Sequence, residues 1–490
     1  MKEINQAKNI RNIKNIKADY LVIGNSAAGL AAAESIRKID KKSSITILSG
    51  ERHFNYSKPL ITYFLAGKSG ADRLFFKDKS FYSDNDIELV LNATVTDIDP
   101  VQHNVIVEIL IDRADIKKSC RFSYYKALIA SGGKPIIPEI KIIGSDGKTA
   151  SLKDLARPFV TGDLRSIEVA AHGADGRLGG VFTLTTLDDA IAVKKYIELN
   201  GISSATILGG GLIGLKAAEA FLELGIKINV IEFSKQILSA SFDEIASEII
   251  TKKIEDAGSN VITNSTIDEI FTDPSGSITG YSVRSGEKFP CGLLIIAVGV
   301  APAVEILGSF VEKVRIDGGI IVNDFMETSM EDLYAAGDII RSFDKLSGKN
   351  KNIAIWPLAV RQGSIAGNNM AGNRKKYNGG FFMNSVEILG VPVISIGLSS
   401  IGDNELENIK TYRNYNREKN IYRKIVVKDD RVIGAILAGS IERAGIYAGL
   451  ISNEVDITDI KDNIAREDFG IIQLPAGYRK HLVIGEGIEV

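Results

Sequence analysis

The stretch that most constrains the fold is Asp19–Glu34, DYLVIGNSAAGLAAAE. Tyr20–Ile23 is a short apolar run rich in β-branched and aromatic residues, which predicts a buried parallel strand, and Leu30–Arg37 predicts a helix. The turn between them is built from small residues, Gly24-Asn25-Ser26-Ala27-Ala28-Gly29. Small residues let the backbone approach a pyrophosphate, which the helix N-terminus stabilises. The pattern favours a dinucleotide site, with Ser26 where the second glycine normally lies; a plain strand-to-helix turn is the alternative.

A second stretch, Ala205–Glu232, repeats this architecture. Its turn is a full Gly-x-Gly-x-x-Gly match, formed by Gly209, Gly211 and Gly214. The next strand, Lys227–Ile231, ends in Glu232. An acid at this position accepts hydrogen bonds from ribose hydroxyls and repels a 2′-phosphate. The second site is therefore predicted to bind NADH in preference to NADPH.

Further candidate contacts stand at the ends of other predicted strands. Glu51 follows the strand Ser44–Ser49, at the position of the acid that binds the adenosine ribose. Lys58 follows closely, and it is either a point charge for a dinucleotide phosphate or a solvated lysine. Lys126–Gly133 is an apolar strand that ends in small residues, which lets the backbone pass close to a cofactor.

Composition narrows the classes of function. The chain has 490 residues, 45% of them hydrophobic, and a net charge of −2, so nothing global favours nucleic acid or an anionic membrane. It has no apolar run long enough to span a membrane. Two distant cysteines, Cys120 and Cys291, exclude a close redox pair and a cysteine-ligated cluster, and they fit a reducing cytoplasm. Four histidines lack metal-ligand spacing, so we expect no metal site.

With these motifs in place, the chain resembles the FAD- and NAD(P)H-dependent pyridine nucleotide oxidoreductases. The resemblance lies with the branch of rubredoxin reductases, ferredoxin reductases and the nitrite reductase flavin module. It covers about residues 18–375 by motif and the remainder by domain order. It implies an α/β fold with two Rossmann-like dinucleotide-binding domains, the NAD domain inserted in the FAD domain, plus a C-terminal α+β domain.

The same resemblance assigns roles to individual residues. It implies that the FAD contacts are Gly24, Ser26, Ala27, Ala28, Gly29, Glu51, Lys58, Val95, Ala130, Ser131, Gly132 and Asp338. It implies that NADH is bound by Gly209, Gly211, Ile213, Gly214 and Glu232, and that Val298 and Gly299 close over the nicotinamide side. Trp356 and Pro357 resemble the segment that reaches the flavin edge.

The chain departs from the family at two points. It lacks the redox cysteines that the disulfide-reductase branch carries after the ribose acid, so the flavin is expected to pass electrons directly to an acceptor. It also has Lys216 where many relatives have a glutamate near flavin N5. A cation there either stabilises anionic reduced flavin or is displaced from the flavin. No catalytic residue is assigned beyond the flavin itself.

The predicted function is an FAD-dependent NADH:acceptor oxidoreductase. Hydride passes from NADH to flavin N5, and electrons then pass to a small redox protein or partner subunit of the rubredoxin or ferredoxin type. One alternative is an NADH oxidase that reduces O₂, and another is an NADH-binding regulatory flavoprotein. A homodimer is expected, as in relatives, with no nucleic acid and no membrane as partner.

The expected domain boundaries follow from the same motifs. They are a disordered extension over 1–17, an FAD domain over 18–138 and 301–377, a surface insertion over 139–180, an NAD domain over 181–300, and a dimerisation-type domain over 378–490. For the basic residues of 1–17, a transit peptide or a surface-binding helix is the alternative to disorder.

Overall fold

The computed structural model describes residues 15–111, 116–155, 178–401 and 407–482. Within these ranges the helices are α1 (Ala27–Ile39), α2 (Ile61–Leu65), α3 (Phe81–Asp84), α4 (Leu152–Leu155), α5 (Leu187–Asn200), α6 (Leu212–Glu223), α7 (Glu244–Asp256), α8 (Trp356–Met370), α9 (Ala444–Ser452) and α10 (Ala476–Leu482). None of these described helices is long and apolar enough to cross a membrane.

The strands in the same ranges are β1 (Asn15–Ile23), β2 (Ile45–Leu48), β3 (Ile87–Val90), β4 (Ala93–Asp99), β5 (Asn104–Ile111), β6 (Ile116–Ile129), β7 (Gly133–Pro135), β8 (Lys141–Ile143), β9 (Thr149–Ser151), β10 (Val181–Thr183), β11 (Ser204–Leu208), β12 (Lys227–Ile231), β13 (Asn260–Ile262), β14 (Ile267–Thr272), β15 (Ile278–Val283), β16 (Lys288–Pro290), β17 (Leu294–Ile296), β18 (Val300–Pro302), β19 (Ile320–Ile321), β20 (Leu333–Ala335), β21 (Ile340–Asp344), β22 (Lys349–Lys351), β23 (Met383–Ile388), β24 (Val391–Gly397), β25 (Ile409–Asn416), β26 (Ile421–Lys428) and β27 (Arg431–Ala438).

The chain folds into two compact units. The first comprises Met1–Ile202, Asp268–Ser282 and Lys288–Gly380. The second comprises Ser203–Ile267, Val283–Glu287 and Phe381–Val490. Each unit carries one of the two glycine turns, because Gly24 lies in the first and Gly209 in the second.

The first unit is built on a sheet with the order β3-β2-β1-β6-β5-β4, and β20 pairs with β6. β1, β2, β3 and β20 run parallel to their neighbours, and all of β2 is buried, which explains its continuous apolar sequence. β4 and β5 extend the sheet as an antiparallel hairpin. The opening turn thus lies at the carboxyl end of β1, where doubly wound sheets bind ligands.

Helix α8 packs unusually close to α1 because two of its residues are glycines. A Cβ atom on Gly363 would lie 2.0 Å from the Ala28 carbonyl oxygen. A Cβ atom on Gly367 would lie 2.3 Å from the Ala32 carbonyl oxygen. Side chains at these positions would force the helices apart and displace the residues of the opening turn.

The first unit also contains the described part of the predicted insertion. β8 pairs in parallel with β14, within a sheet of order β16-β15-β14-β8-β9. Residues 141–151 therefore contribute strands to a sheet, and residues 156–177 lie outside the described ranges. β1 begins at Asn15, inside the predicted extension, because Asn15–Lys17 pair with Arg121–Ser123. The domain boundaries stay a prediction.

The second unit combines the second glycine turn with the C-terminal sheet. β11, β12 and β13 are parallel neighbours. Helix α7 begins at the N-cap Asp243, whose carboxylate accepts a hydrogen bond from the Ala246 N–H group. The C-terminal sheet is antiparallel, in the order β23-β24-β27-β26-β25, and α9 packs on it through Tyr447, Leu450 and Ile451.

Candidate functional site

The opening turn has the geometry that a pyrophosphate cradle requires. Gly24 has φ +119°, and its N–H group donates to the Leu48 carbonyl at 2.9 Å. A Cβ atom on Gly24 would lie 2.1 Å from the Ala130 carbonyl oxygen, and one on Gly29 would lie 1.9 Å from the Gly24 carbonyl oxygen. Ser26 is the N-cap residue of α1 and makes no side-chain capping bond. The first N–H groups of the helix are therefore left for an anion.

Two buried polar atoms at this turn lack a partner among the described residues, namely Asn25 Nδ2 and Ser131 Oγ. Asn25 is oriented by the Tyr82 hydroxyl, which donates to Asn25 Oδ1 at 2.7 Å. Ser131 follows Ala130, whose carbonyl faces Gly24. Gly132 has φ +75° and open space where a side chain would be. Orphaned polar groups next to open backbone fit a large polar ligand rather than a closed core.

The carboxylate of Glu51 is held in place by its own loop. It accepts a hydrogen bond from the Tyr56 hydroxyl at 2.5 Å and pairs with the Lys58 ammonium at 3.3 Å. The Tyr56 hydroxyl in turn accepts a hydrogen bond from the Leu187 N–H group at 3.0 Å. Burial and the Glu51 charge raise the pKa of Tyr56, which therefore stays a donor. Sequence reasoning missed Tyr56, although a buried tyrosine hydroxyl usually has a partner.

An ion cluster fastens the residues after Glu51 to the start of α5. Asp188 Oδ1 accepts hydrogen bonds from Arg52 Nε at 2.9 Å and from His53 Nε2 at 2.8 Å. Burial of Asp188 opposes ionisation, but its His53 and Arg52 partners hold its pKa below the ordinary value. The helix itself begins with a capping box between Thr186 and Asp189. The cluster unites residues far apart in sequence, so no local pattern signalled it.

Asp338 lies in the turn after β20, beside the opening turn. Gly337 has φ +85°, and a Cβ atom there would lie 3.2 Å from the Ala28 Cβ atom. The Gly337 N–H group donates to the buried Gln362 Oε1 at 3.0 Å, which fixes the turn. Burial raises the pKa of Asp338, while the Lys58 charge opposes that rise. Ligand hydroxyls that donate to this carboxylate would offset its desolvation.

The other predicted contacts of the first unit lie on separate elements. Val95 is buried in β4, and the N–H group of nearby Asn92 donates to the Glu51 carbonyl at 3.2 Å. Trp356 is the first residue of α8, and its ring meets Phe76 edge-to-face at 5.0 Å. Val298 is 39% exposed, and the Gly299 carbonyl accepts a hydrogen bond from the Ile136 N–H group at 3.0 Å.

The second glycine turn repeats the geometry of the first. Gly209 has φ +112°, and its N–H group donates to the Ile231 carbonyl at 2.8 Å. A Cβ atom on Gly214 would lie 1.9 Å from the Gly209 carbonyl oxygen, the same distance as at Gly29. Gly211 is the N-cap of α6 and has open space around it, and Ile213 is partly exposed. The two turns are therefore equivalent strand-to-helix cradles.

Glu232 is anchored to its turn by both carboxylate oxygens. The Gly210 N–H group donates to Oε2 and the Ser234 N–H group donates to Oε1, each at 2.7 Å. These bonds hold the carboxylate against the glycine turn, where a ribose would bind. Lys235, the cation nearest in sequence, pairs with Glu244 at 2.8 Å. It is therefore engaged by another carboxylate.

Lys216 is engaged by protein groups of the second unit. Its ammonium forms an ion pair with Glu219 and donates to the Glu387 carbonyl at 3.1 Å. Glu219 also accepts a hydrogen bond from the Leu389 N–H group at 2.9 Å. The pair thus links α6 to the hairpin of β23 and β24. A contact between Lys216 and a flavin stays a prediction.

The chain matches two known protein-family models. Residues 18–363 match the family described as pyridine nucleotide-disulphide oxidoreductase. The chain belongs to this family. Residues 383–455 also match the rubredoxin NAD⁺ reductase C-terminal domain. The predicted resemblance is confirmed, and so is the fold class of two Rossmann-like domains with a C-terminal α+β domain.

Three similar proteins illustrate the range of this oxidoreductase family. The chain is 27% identical to the epsilon subunit of NADH-dependent phenylglyoxylate dehydrogenase from Aromatoleum evansii, over 92% of this chain and 96% of that one. It is 24% identical to NADH-rubredoxin oxidoreductase from Clostridium acetobutylicum, over 91% of this chain and 97% of that one. The solved structure of the water-forming NADH oxidase from Lactobacillus brevis has a TM-score of 0.72 to this chain at 22% identity. The match covers 91% of this chain and 92% of that one, which shows that the two share a fold.

Family membership makes this chain an NAD(P)H-dependent flavin oxidoreductase, with FAD and NAD(H) as cofactors. The first turn fits FAD: it offers helix N–H groups without partners for an anion, orphaned polar atoms at Asn25 and Ser131, and the half-buried carboxylate of Asp338 nearby. When bound, FAD accepts a hydride from a reduced nicotinamide and passes electrons on. The described protein groups supply binding, orientation and exclusion of water.

Proposed function

We propose that this oxidoreductase is an FAD-dependent NADH:acceptor oxidoreductase that delivers electrons to a small redox protein or a partner subunit of the rubredoxin or ferredoxin type. The observation that supports NADH as the electron donor is the Glu232 carboxylate, which two N–H groups hold at the second glycine turn. The acceptor side is supported by the C-terminal match and by the names of the relatives, one a rubredoxin oxidoreductase and one a dehydrogenase subunit.

The cysteines support direct transfer from flavin to acceptor. The sequence has two, Cys120 in β6 and Cys291 before β17, and both are buried and outside any disulfide. Neither lies near Glu51 in the sequence, where a redox cysteine of the disulfide-reductase branch is expected. Electrons therefore have no protein disulfide to pass through.

The proposal assigns the predicted contacts as follows. FAD is held at its pyrophosphate by the Gly24–Gly29 turn, at its ribose by Glu51, and along its ribityl chain by Asp338. Lys58 pairs with Glu51, and its charge opposes the rise in the pKa of Asp338 that burial causes. Backbone contacts come from Val95 and from Ala130-Ser131-Gly132. NADH binds at Gly209, Gly211, Ile213, Gly214 and Glu232. The roles of Val298, Gly299 and Trp356 stay predictions.

The first test of this function uses the purified protein as isolated. We expect a yellow protein with stoichiometric FAD that NADH bleaches anaerobically, because both cradles are formed. Addition of an oxidised rubredoxin- or ferredoxin-type protein should then restore the oxidised flavin spectrum and speed NADH turnover. A colourless protein that takes up no FAD on titration would refute the whole proposal. If NADH bleaches the flavin but no iron–sulfur protein reoxidises it, only the proposed class of electron acceptor would be refuted.

An NADH oxidase is the second candidate, since the chain shares its fold with the Lactobacillus brevis enzyme. Oxygen electrode traces separate the two candidates. Fast O₂ consumption with NADH and without a protein partner favours the oxidase. Slow O₂ consumption, together with faster NADH oxidation when a redox protein is added, favours the acceptor oxidoreductase.

We also propose a homodimer in the cytoplasm. The C-terminal part of the chain leaves large apolar side chains exposed, with Ile472 at 83% and Ile471 at 58%, as an interface would require. Light scattering over a range of concentrations is expected to give twice the 53.0 kDa chain mass. A constant mass of one chain would contradict the dimer. Two buried cysteines that form no disulfide suit a reducing compartment.

A further inference from the structure

The hairpin that opens the C-terminal sheet has a turn that its own sequence does not favour. Strands β23 and β24 pair as far as Ile388 and Val391, which leaves Leu389 and Gly390 as a two-residue turn. Leu389 has φ +49° and Gly390 has φ +76°. Two-residue hairpin turns with positive φ at both positions favour asparagine, aspartate or glycine. Leucine is strained in the left-handed region, so a contact from outside the hairpin is expected to hold it there.

Two side chains of α6 supply that contact. The Leu389 N–H group donates to Glu219 Oε1 at 2.9 Å. The Lys216 ammonium pairs with the other carboxylate oxygen, Glu219 Oε2, and donates to the Glu387 carbonyl at 3.1 Å. The side chains of Lys216 and Glu219 are only 15% and 10% exposed, so salt screens the pair little. All of these residues lie in the second unit.

Helix α6 carries this pair close to the second glycine turn. The helix begins at the N-cap Gly211, and Lys216 lies just after Gly214. A Cβ atom on Gly214 would lie 1.9 Å from the Gly209 carbonyl oxygen, so α6 packs against the turn without slack. Because the hairpin fixes the position of α6, it also fixes the N–H groups that face a bound pyrophosphate.

The loop after β12 links the same glycine turn to the same sheet. The Leu238 N–H group donates to the Gly210 carbonyl at 2.8 Å. A few residues later, Asp243 Oδ2 accepts a hydrogen bond from the Tyr422 hydroxyl of β26 at 2.6 Å. The glycine turn is thus connected to the C-terminal sheet by two routes, one through α6 and Glu219 and the other through this loop and Asp243.

We propose that Lys216 and Glu219 are positioning residues for NADH: they fix the Leu389 turn to α6 and thereby set the nucleotide affinity of the second glycine turn. The inference rests on the proposed function and gives the C-terminal sheet a part in donor binding. A glutamate at position 216 would repel Glu219, so the link requires the lysine by which this chain departs from many relatives. Because coupling between sites is reciprocal, a nucleotide in the turn stabilises the hairpin in return.

The first test measures nucleotide affinity and reduction rate separately. In Lys216→Met and in Glu219→Gln, we expect the Kd of ADP-ribose, measured by calorimetry on the FAD-loaded protein, to rise about 5- to 150-fold. The NADH concentration for half-maximal flavin reduction should rise by the same factor, while the limiting rate at saturating NADH keeps its wild-type value. The double variant should bind no more weakly than the weaker single variant, because the two residues act as one pair.

Two control variants separate this link from general effects of charge removal. Lys216→Arg keeps a cation that can donate to both Glu219 and the Glu387 carbonyl, so it should retain most of the wild-type affinity. Lys461→Met removes a lysine of the same unit that pairs with Asp430 at 2.7 Å, at the turn between β26 and β27. Its ADP-ribose affinity should equal that of the wild type.

A second test begins with the wild-type protein. Addition of ADP-ribose should slow amide hydrogen exchange across residues 383–397, which form β23, β24 and their turn. This protection should be lost in Lys216→Met, because the variant breaks the route between the two sites. A pair with a merely structural role would leave the exchange of the hairpin independent of the nucleotide.

Three results would overturn the inference: an unchanged Kd for ADP-ribose in both single variants, hairpin exchange in the wild type that does not respond to ADP-ribose, or a lower limiting rate with an unchanged Kd. The last would place Lys216 at the flavin instead. Any of these results in a protein whose flavin NADH reduces overturns this inference alone. Failure of the proposed function is a different outcome, in which NADH does not reduce the flavin of the wild-type protein.

Discussion

Gly29→Ala is expected to yield protein that no longer retains FAD, with binding at least about tenfold weaker than in the wild type. A Cβ atom at this position would lie 1.9 Å from the Gly24 carbonyl oxygen and 3.0 Å from its carbonyl carbon. Neither is the end of a flexible side chain, so the turn itself has to move, and overpacking of this kind costs about 1–3 kcal/mol or more. The movement displaces the N–H groups that face the pyrophosphate. Absorbance at the flavin band of purified protein measures the effect.

Matched variants test whether the effect is local to the FAD turn. Gly214→Ala makes the same 1.9 Å clash in the second turn, so it should stay yellow while its KM for NADH rises. Gly445→Ala lies in α9 with nothing within 4 Å, and it should keep both FAD and stability. Normal FAD content in Gly29→Ala would show that the first turn does not bind the cofactor. Loss of FAD in Gly445→Ala would show a general folding defect.

Glu232→Gln is expected to narrow the preference for NADH over NADPH by about 10- to 150-fold, and Glu232→Ala to narrow it further. The ribose hydroxyls lose a charge-assisted acceptor worth about 1.5–3 kcal/mol, while a 2′-phosphate no longer meets a negative charge. Lys235 offers little help to NADPH in the wild type because it pairs with Glu244. The rate of flavin reduction by NADH should therefore fall and the rate with NADPH should rise, so that the two rates become more similar. Stopped-flow reduction of the flavin by each nucleotide gives the ratio.

Glu255→Gln is the control for this change, since it removes the same charge from an exposed position on α7. Its nucleotide ratio should equal that of the wild type. Glutamine at position 232 retains a carbonyl oxygen for one of the two N–H groups from Gly210 and Ser234, so the turn should survive. Equal rates for both nucleotides in the wild type, or an unchanged ratio in the glutamine variant, would show that Glu232 does not read the ribose.

Much of the nucleotide-binding fold was predictable because its signals are local. A short apolar run, a turn of small residues and a helical stretch are neighbours in sequence, so Gly24–Gly29 and Gly209–Gly214 could be located without tertiary contacts. The same holds for Glu232, since an acid at the end of the next strand lies near the turn in any parallel βαβ unit.

Contacts between distant segments required the tertiary structure. The hydrogen bond from Leu187 to Tyr56 and the contacts of Asp188 with Arg52 and His53 join residues at least 131 positions apart, which no sequence spacing relates. Strand β8 belongs to the same class, since its partner β14 lies far along the chain, whereas β9 pairs with the adjacent β8.

The sequence by itself determined the fold class, the two glycine turns and the acid that follows each, because backbone conformation and hydrophobic periodicity depend on residues within a few positions of one another. The tertiary structure alone decided which side chains and N–H groups orient those acids. Hydrogen bonds and ion pairs depend on distances of a few ångströms, and only the packed chain brings such residues together.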